Sequence, residues 1–232
     1  MTQVVLIHGT WLGGWAWERL VPALTDTGHD VHAPDLPGLA GRASEAGLDT
    51  GLDTHIRSIT AYLDEHDLHE AILVGHSYGG LVAQGAAAAS ERVAGVVYLD
   101  AFLAAEGESA FDLLPWLANA FQPVDDAHPW LVTPLDPAGL GVTDPTDAAW
   151  LTAHMTPMPL ATHRDPAPAP DATPAHYVYC EALPLMEGML ATADARGYSV
   201  TRIPTAHMPM VTHPDLLAAT LATVITRLEA SS

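Results

Sequence analysis

The apolar run Ala71-Ile72-Leu73-Val74 leads straight into Gly75-His76-Ser77-Tyr78-Gly79, and no other stretch constrains the fold as tightly. The pattern is a strand that must turn sharply into a helix, the helix being the small-residue run at 80–89. Glycines on either side give the backbone room for that turn and leave a strained serine at its apex. The serine hydroxyl then projects from the sheet edge, while the helix N-terminus aims backbone N–H groups at any anion formed beside it. Without its flanks the same five residues would describe an ordinary turn. With them, Ser77 is a candidate nucleophile.

Two further segments complete a constellation. Residues 3–8 read as a buried strand ending in His8-Gly9-Thr10-Trp11, followed by Gly13-Gly14-Trp15. A glycine-rich loop there supplies a second oxyanion donor, so the Thr10 and Tyr78 N–H groups together form a candidate oxyanion hole. Late in the chain, Ala206-His207-Met208-Pro209-Met210 follows the strand-like residues 198–203 and precedes a helix opened by Pro214 and Asp215. A histidine on a loop after the last strand suits a general base in the chain order serine, acid, histidine.

Together these segments resemble the α/β-hydrolase superfamily, in particular its branch of small esterases, plant methylesterases and hydroxynitrile lyases. The resemblance rests on the strand with His8-Gly9 and its Gly/Trp-rich continuation to Trp17, and on Pro34-Asp35-Leu36-Pro37-Gly38. It continues through Gly75-His76-Ser77-Tyr78-Gly79-Gly80 and ends with His207-Met208-Pro209-Met210. It covers roughly 3–105 and 176–229. It implies a mostly parallel sheet covered by helices on both faces, with a lid inserted after the strand ending at Asp100. The expected division is a core of 1–105 and 176–232 and a cap of 106–175.

The triad acid is where the chain departs from that pattern. Similar esterases carry an aspartate a few residues beyond the strand matching 177–180, before a Leu-Pro or Ile-Pro. Here only Glu181-Ala182 precede Leu183-Pro184. Glu181 has an extra methylene with which to reach His207. Asp100, ending Val96-Val97-Tyr98-Leu99-Asp100, is the other candidate, in an arrangement resembling certain haloalkane dehalogenases. Both keep the order serine, acid, histidine.

The periodicity agrees with a single α/β domain. Strands are expected at 3–8, 30–33, 71–74, 93–99, 177–180 and 198–203, and helices at 15–27, 53–66, 78–90, 183–196 and 214–230. Apolar strands alternating with helical patterns mean a parallel sheet buried on both faces. The tandem Gly47-Leu48-Asp49-Thr50 and Gly51-Leu52-Asp53-Thr54 reads as a loop entering a helix capped by Asp53 or Thr54. Between 103 and 174 periodicity fails and prolines cluster, which restricts long loops and opposes regular strands. Trp116, Trp130 and Trp150 in that segment are expected to pack within the lid or line the cavity.

Composition removes several functional classes. The chain has 232 residues, with 28 acidic side chains against 8 basic ones, every one of them arginine, for a formal charge of −20. Such a field opposes nucleic acids and anionic membranes. No run approaches the roughly 18 apolar residues of a membrane span, and no secretory pattern opens the chain, so a cytoplasmic location is expected. Cys180 is the one cysteine, which rules out an internal disulfide and reads as core packing. His154, His163 and His176 lack ligand-like spacing, so neither a metal nor another cofactor is expected.

The expected partner is a small-molecule substrate, with the oligomeric state left open. Ser77, His207 and a carboxylate perform serine carboxylic-ester hydrolysis through an acyl-enzyme on a small to medium, largely apolar ester. Carbon–carbon or lactone chemistry is the alternative. Hydroxynitrile lyase activity is disfavoured because such enzymes carry lysine where Met208 stands and, in the plant type, threonine at Gly9. A non-catalytic ligand-binding module, as in the hormone receptors of the superfamily, is the third reading.

Overall fold

The computed structural model describes residues 1–230. Its strands are β1 (Gln3–Ile7), β2 (Asp30–His32), β3 (Ala71–His76), β4 (Val93–Leu99), β5 (Leu131–Val132), β6 (Met158–Pro159), β7 (Ala175–Cys180) and β8 (Ser199–Ile203). The α-helices are α1 (Val21–Asp26), α2 (Leu52–Glu65), α3 (Gly79–Ala89), α4 (Ala110–Leu113), α5 (Trp116–Ala120), α6 (Pro145–His154), α7 (Ala161–Arg164), α8 (Met189–Ala195), α9 (Pro209–Thr212) and α10 (Pro214–Glu229). Six strands form one sheet in the order β2-β1-β3-β4-β7-β8, and every pairing within it is parallel.

Side-chain alternation along these strands divides the core in two. Val5, Ile7, Leu73, Val96 and Tyr98 face one apolar layer, which includes Ile59 of α2 and Leu81 of α3. Val4, Leu6, Val74, Val97 and Leu99 face the other, with Leu24 of α1 and Leu221 of α10. A sheet covered on both faces needs apolar residues at both parities, which is why β1, β3 and β4 read as continuous hydrophobic runs. Cys180 takes part in the second layer with no solvent exposure. Burial pushes its thiol pKa up, so it stays protonated and inert.

Several boundaries differ from expectation, each for a local reason. β3 runs two residues past 74, because Gly75 and His76 still pair with Tyr98 and Leu99. The helix expected over 15–27 is a 3-10 turn at Gly14–Trp17 followed by the short α1, with Pro22 in its first turn. Likewise, α8 starts only after Pro184 and Gly188. Helix α2 begins at Leu52 with Gly51 as its N-cap, not Asp53 or Thr54. Thr54 Oγ1 instead accepts from the Gly51 N–H, and Asp165 Oδ2, from far along the chain, accepts from the Leu52 N–H at 3.0 Å.

The β4–β7 connection holds four α-helices, a 3-10 turn and a two-stranded antiparallel pair, Leu131 opposite Pro159 and Val132 opposite Met158. Its attachments to the rest include the Arg19–Asp147 ion pair at 2.7 Å. Trp15 meets Trp150 edge-on, with ring centroids 5.0 Å apart. No helix among the described residues is long and apolar enough to cross a membrane.

Candidate active site

In a parallel sheet, the loops at the carboxyl ends of the strands meet where the strand order reverses, and ligands bind there. Here the chain goes from β1 outward to β2 and then returns to β3 on β1's other side. Thr10 follows β1, Ser77 follows β3, Asp100 follows β4 and His207 follows β8. The sequence-predicted groups thus converge at one end of the sheet.

Ser77 has φ 53°, the left-handed region that a side chain enters only under constraint. The flanking glycines serve a different need. A Cβ on Gly75 would lie 2.5 Å from the Gly79 carbonyl oxygen, and one on Gly79 would lie 2.5 Å from the Ile7 carbonyl oxygen. Strand and helix therefore approach too closely for any larger residue, and the strain falls on the serine. The Ser77 N–H donates to the Leu99 carbonyl at 3.2 Å, and the Phe102 N–H donates to the Ser77 carbonyl at 3.2 Å. Next along the sheet, the Asp100 N–H donates to the Val178 carbonyl at 2.7 Å, with Asp100 at φ 42°. These bonds extend the β3–β4–β7 ladder beyond the strands and lock Ser77 and Asp100 into one frame.

His207 Nδ1 lies 2.6 Å from Asp100 Oδ2. The second carboxylate oxygen accepts the Cys180 N–H at 3.2 Å. Asp100 is fully buried and His207 only 4% exposed, so the charge-assisted bond is little weakened by water. Glu181, the other candidate acid, is solvent-exposed on the turn after β7. No hydrogen bond or ion pair joins it to His207 among the described residues. Its backbone N–H donates to the Ile203 carbonyl; the short turn before Leu183 keeps its side chain outside.

Two more histidines hold the site's frame. His76 Nε2–H donates to the His207 carbonyl at 2.8 Å, anchoring the loop that bears His207 to the turn after β3. His8 Nδ1–H donates to the Gly9 carbonyl, and its Nε2 accepts the Leu36 N–H at 3.1 Å. Burial pushes the His8 pKa down to about 4, so it stays a neutral bridge between two loops.

Ser77 and His207 line a cavity of about 40 Å³ together with Thr10, Trp11, Phe102 and Trp116. Neither the Thr10 nor the Tyr78 N–H donates to a protein acceptor among the described residues. Of the three tryptophans in the β4–β7 connection, Trp116 lines this cavity, whereas Trp150 packs against Trp15 and Arg19. His163 also lines it and bonds Thr10 Oγ1 at 3.0 Å. No local pattern signals that contact, because the two residues lie 153 positions apart and His163 falls in the segment without periodicity. Among the described residues no group of three or more His, Cys, Asp and Glu is arranged to hold a metal ion.

Comparison with known proteins agrees with this architecture. A carbendazim-hydrolysing esterase of Nocardioides sp. (strain SG-4G) is 32% identical across 96% of this chain and 99% of its own length. A pyrethroid hydrolase of Sphingobium wenxiniae is 31% identical across 55% of this chain and 49% of its own. Among solved structures, an extracellular alpha/beta-hydrolase from a Paenibacillus species shares the fold at TM-score 0.82 and 23% identity, covering 96% and 98% of the two chains. A methylesterase from Arabidopsis does so at TM-score 0.81 and 18% identity, covering 97% and 99%. A model of the alpha/beta hydrolase family matches residues 4–220, and the chain is an enzyme belonging to that family.

Proposed function

We propose that this enzyme is a serine carboxylic-ester hydrolase that works through an acyl-enzyme. The observation that carries the reading is the 2.6 Å contact between Asp100 Oδ2 and Nδ1 of His207, which lines the same cavity as Ser77. With Asp100 holding the Nδ1–H, His207 Nε2 is left bare to take the Ser77 proton as its oxygen attacks the ester carbonyl. The developing oxyanion is received by the Thr10 and Tyr78 N–H groups, each donor contributing roughly 3–4 kcal/mol in comparable sites. The imidazolium then protonates the departing alcohol. A water activated by the same histidine cleaves the acyl-enzyme and releases the acid, and no cofactor enters any step.

The cavity favours a largely apolar substrate. Trp11, Phe102, Leu114, Trp116, Phe121 and Met186 dominate its wall, and among the described residues no arginine lines it. An anionic ester would meet neither a counter-charge nor a favourable overall field in a chain of charge −20. Residues 106–175 act as the lid over Ser77, supplying Leu114, Trp116, Phe121 and His163 to the wall. The named relatives, one hydrolysing carbendazim and one pyrethroids, support ester cleavage as the reaction class.

The test is hydrolysis of short p-nitrophenyl esters together with labelling by a fluorophosphonate. Wild type should turn over the esters and take the label, and Ser77→Ala should do neither while keeping its circular dichroism spectrum. Labelling of Ser77→Ala to the wild-type extent would remove Ser77 from its role. Tight ligand binding by a wild type that turns over no ester would favour the receptor-like alternative.

A further inference from the structure

His163 sits on α7 of the lid, 1% exposed, yet both ring nitrogens have partners. The direction of each bond follows from chemistry. Thr162 Oγ1 lies 2.6 Å from the Pro159 carbonyl oxygen, which can only accept, so the single Thr162 hydroxyl proton goes there. Thr162 Oγ1 must then accept from His163 Nδ1–H at 2.9 Å. That leaves His163 Nε2 as a bare acceptor, 3.0 Å from Thr10 Oγ1, whose hydroxyl donates to it. Burial pushes the His163 pKa down to about 3, which keeps this neutral tautomer in place at ordinary pH.

The same imidazole stacks on the Tyr78 ring, with centroids 4.9 Å apart and planes 19° from parallel. Tyr78 is pinned at its far end as well. His55 Nε2–H donates to the Pro37 carbonyl, so His55 Nδ1 accepts the Tyr78 hydroxyl at 2.9 Å. One lid side chain therefore touches both residues whose N–H groups face the oxyanion. A phenylalanine would fill the space and stack equally well. Only a residue with an acceptor can hold the Thr10 hydroxyl, which explains a buried, desolvated histidine among Phe102, Phe111 and Phe121.

We propose that His163 is a positioning residue for the oxyanion hole: it ties Thr10 by hydrogen bond and Tyr78 by stacking, so the hole is complete only when the lid is docked. The inference rests on the reading of the Thr10 and Tyr78 N–H groups as oxyanion donors. Misplacing a donor by about 1 Å can cost on the order of 100-fold in rate. The loss should fall on kcat, because the contact matters most when charge has developed on the carbonyl oxygen.

The experiment compares kcat and KM for p-nitrophenyl butyrate in wild type, His163→Phe, His163→Gln, Thr10→Val and the His163→Phe/Thr10→Val double variant. His163→Phe should lower kcat by about 10- to 100-fold with KM within about threefold. His163→Gln, whose side-chain oxygen can stand where Nε2 stands, should recover most of that loss. Thr10→Val should match His163→Phe, and the double variant should be no slower than either single one, since both remove one bond. Wild-type kcat in Thr10→Val, fully multiplicative losses in the double variant, or His163→Gln no faster than His163→Phe would each overturn the proposal. Should His163→Phe not fold, Thr10→Val decides alone, being isosteric and outside the lid. Fluorophosphonate labelling separates the two levels. An unlabelled, inactive wild type defeats the hydrolase reading, whereas labelled variants with undiminished kcat defeat only the role of His163.

Discussion

Asp100 Oδ2 and His207 Nδ1 lie 2.6 Å apart although their strands are not neighbours, since β7 runs between β4 and β8. The carboxylate reaches across the end of β7, and β7 assists by donating the Cys180 N–H to Oδ1. Asp100 can do this because its φ of 42° turns the chain off the β4 axis at the last ladder bond. A fully buried carboxylate is costly unless both oxygens are satisfied. Here both are.

Replacing that carboxylate separates the two candidate acids. Asp100→Asn should lower kcat by on the order of 10⁴, the loss expected when the histidine is held in the wrong tautomer. Glu181→Gln should stay within about twofold of wild type, because Glu181 is exposed on the far side of its turn. Steady-state hydrolysis of p-nitrophenyl acetate by both variants is the measurement. A slow Glu181→Gln beside a normal Asp100→Asn would transfer the role.

Stability should fall with pH in a window set by buried histidines. His8, His55 and His163 are pushed down to about 4, 3 and 3 by burial, from an ordinary value of 6.5. Below pH 6.5 the unfolded chain binds protons that the native state refuses, so the stability these groups contribute is full above 6.5. It is lost progressively as pH falls towards 4 to 3. Each such histidine steepens the decline by up to about 1.4 kcal/mol per pH unit. Urea midpoints measured from pH 7.5 to 4.5 should drop steadily; a flat profile down to pH 5 contradicts this account.

The β4–β7 connection should also support α2 through Asp165. Its Oδ2 accepts the first free N–H of α2, at Leu52, where Gly51 has no side chain with which to cap. Asp165→Ala should cost about 1 kcal/mol, as loss of an N-cap acceptor does elsewhere. Chemical denaturation should record that loss, and Asp165→Asn, which retains an oxygen, should recover much of it. Equal stability in all three proteins would mean that α2 needs no help from the β4–β7 connection.

What the sequence disclosed tracks how local each feature is. Ser77 and the elbow were legible because the strand, the glycines and the helix are contiguous. The two-sided sheet was legible because continuous apolar runs require cover on both faces. Which of Asp100 and Glu181 lies against His207 was not, because it depends on which strand end reaches across β7, a matter of tertiary geometry. Gly51 as the α2 cap escaped notice for the same reason: its missing side-chain oxygen comes from Asp165, more than a hundred residues on. The His163–Thr10 bond had no local signal at all, since the two residues are 153 positions apart and only the packing of the β4–β7 connection on the sheet end brings them together.

Trp116 offers a last prediction, on substrate size. The cavity beside Ser77 is narrow, about 40 Å³, so a long acyl chain must displace part of the wall. Most of that wall is buried, but Trp116 is 45% exposed and borders both cavity and solvent. It is therefore the large side chain with the least packing to lose by swinging out, and displacing it costs less than displacing Phe102 or Trp11. Trp116→Ala should remove that cost for long acyl chains and matter little for short ones. The ratio of kcat/KM for p-nitrophenyl octanoate to that for the acetate should rise several-fold, with the acetate rate nearly unchanged. If octanoate turnover instead falls while acetate holds, Trp116 is a wall that grips the chain, and entry runs elsewhere through the β4–β7 connection.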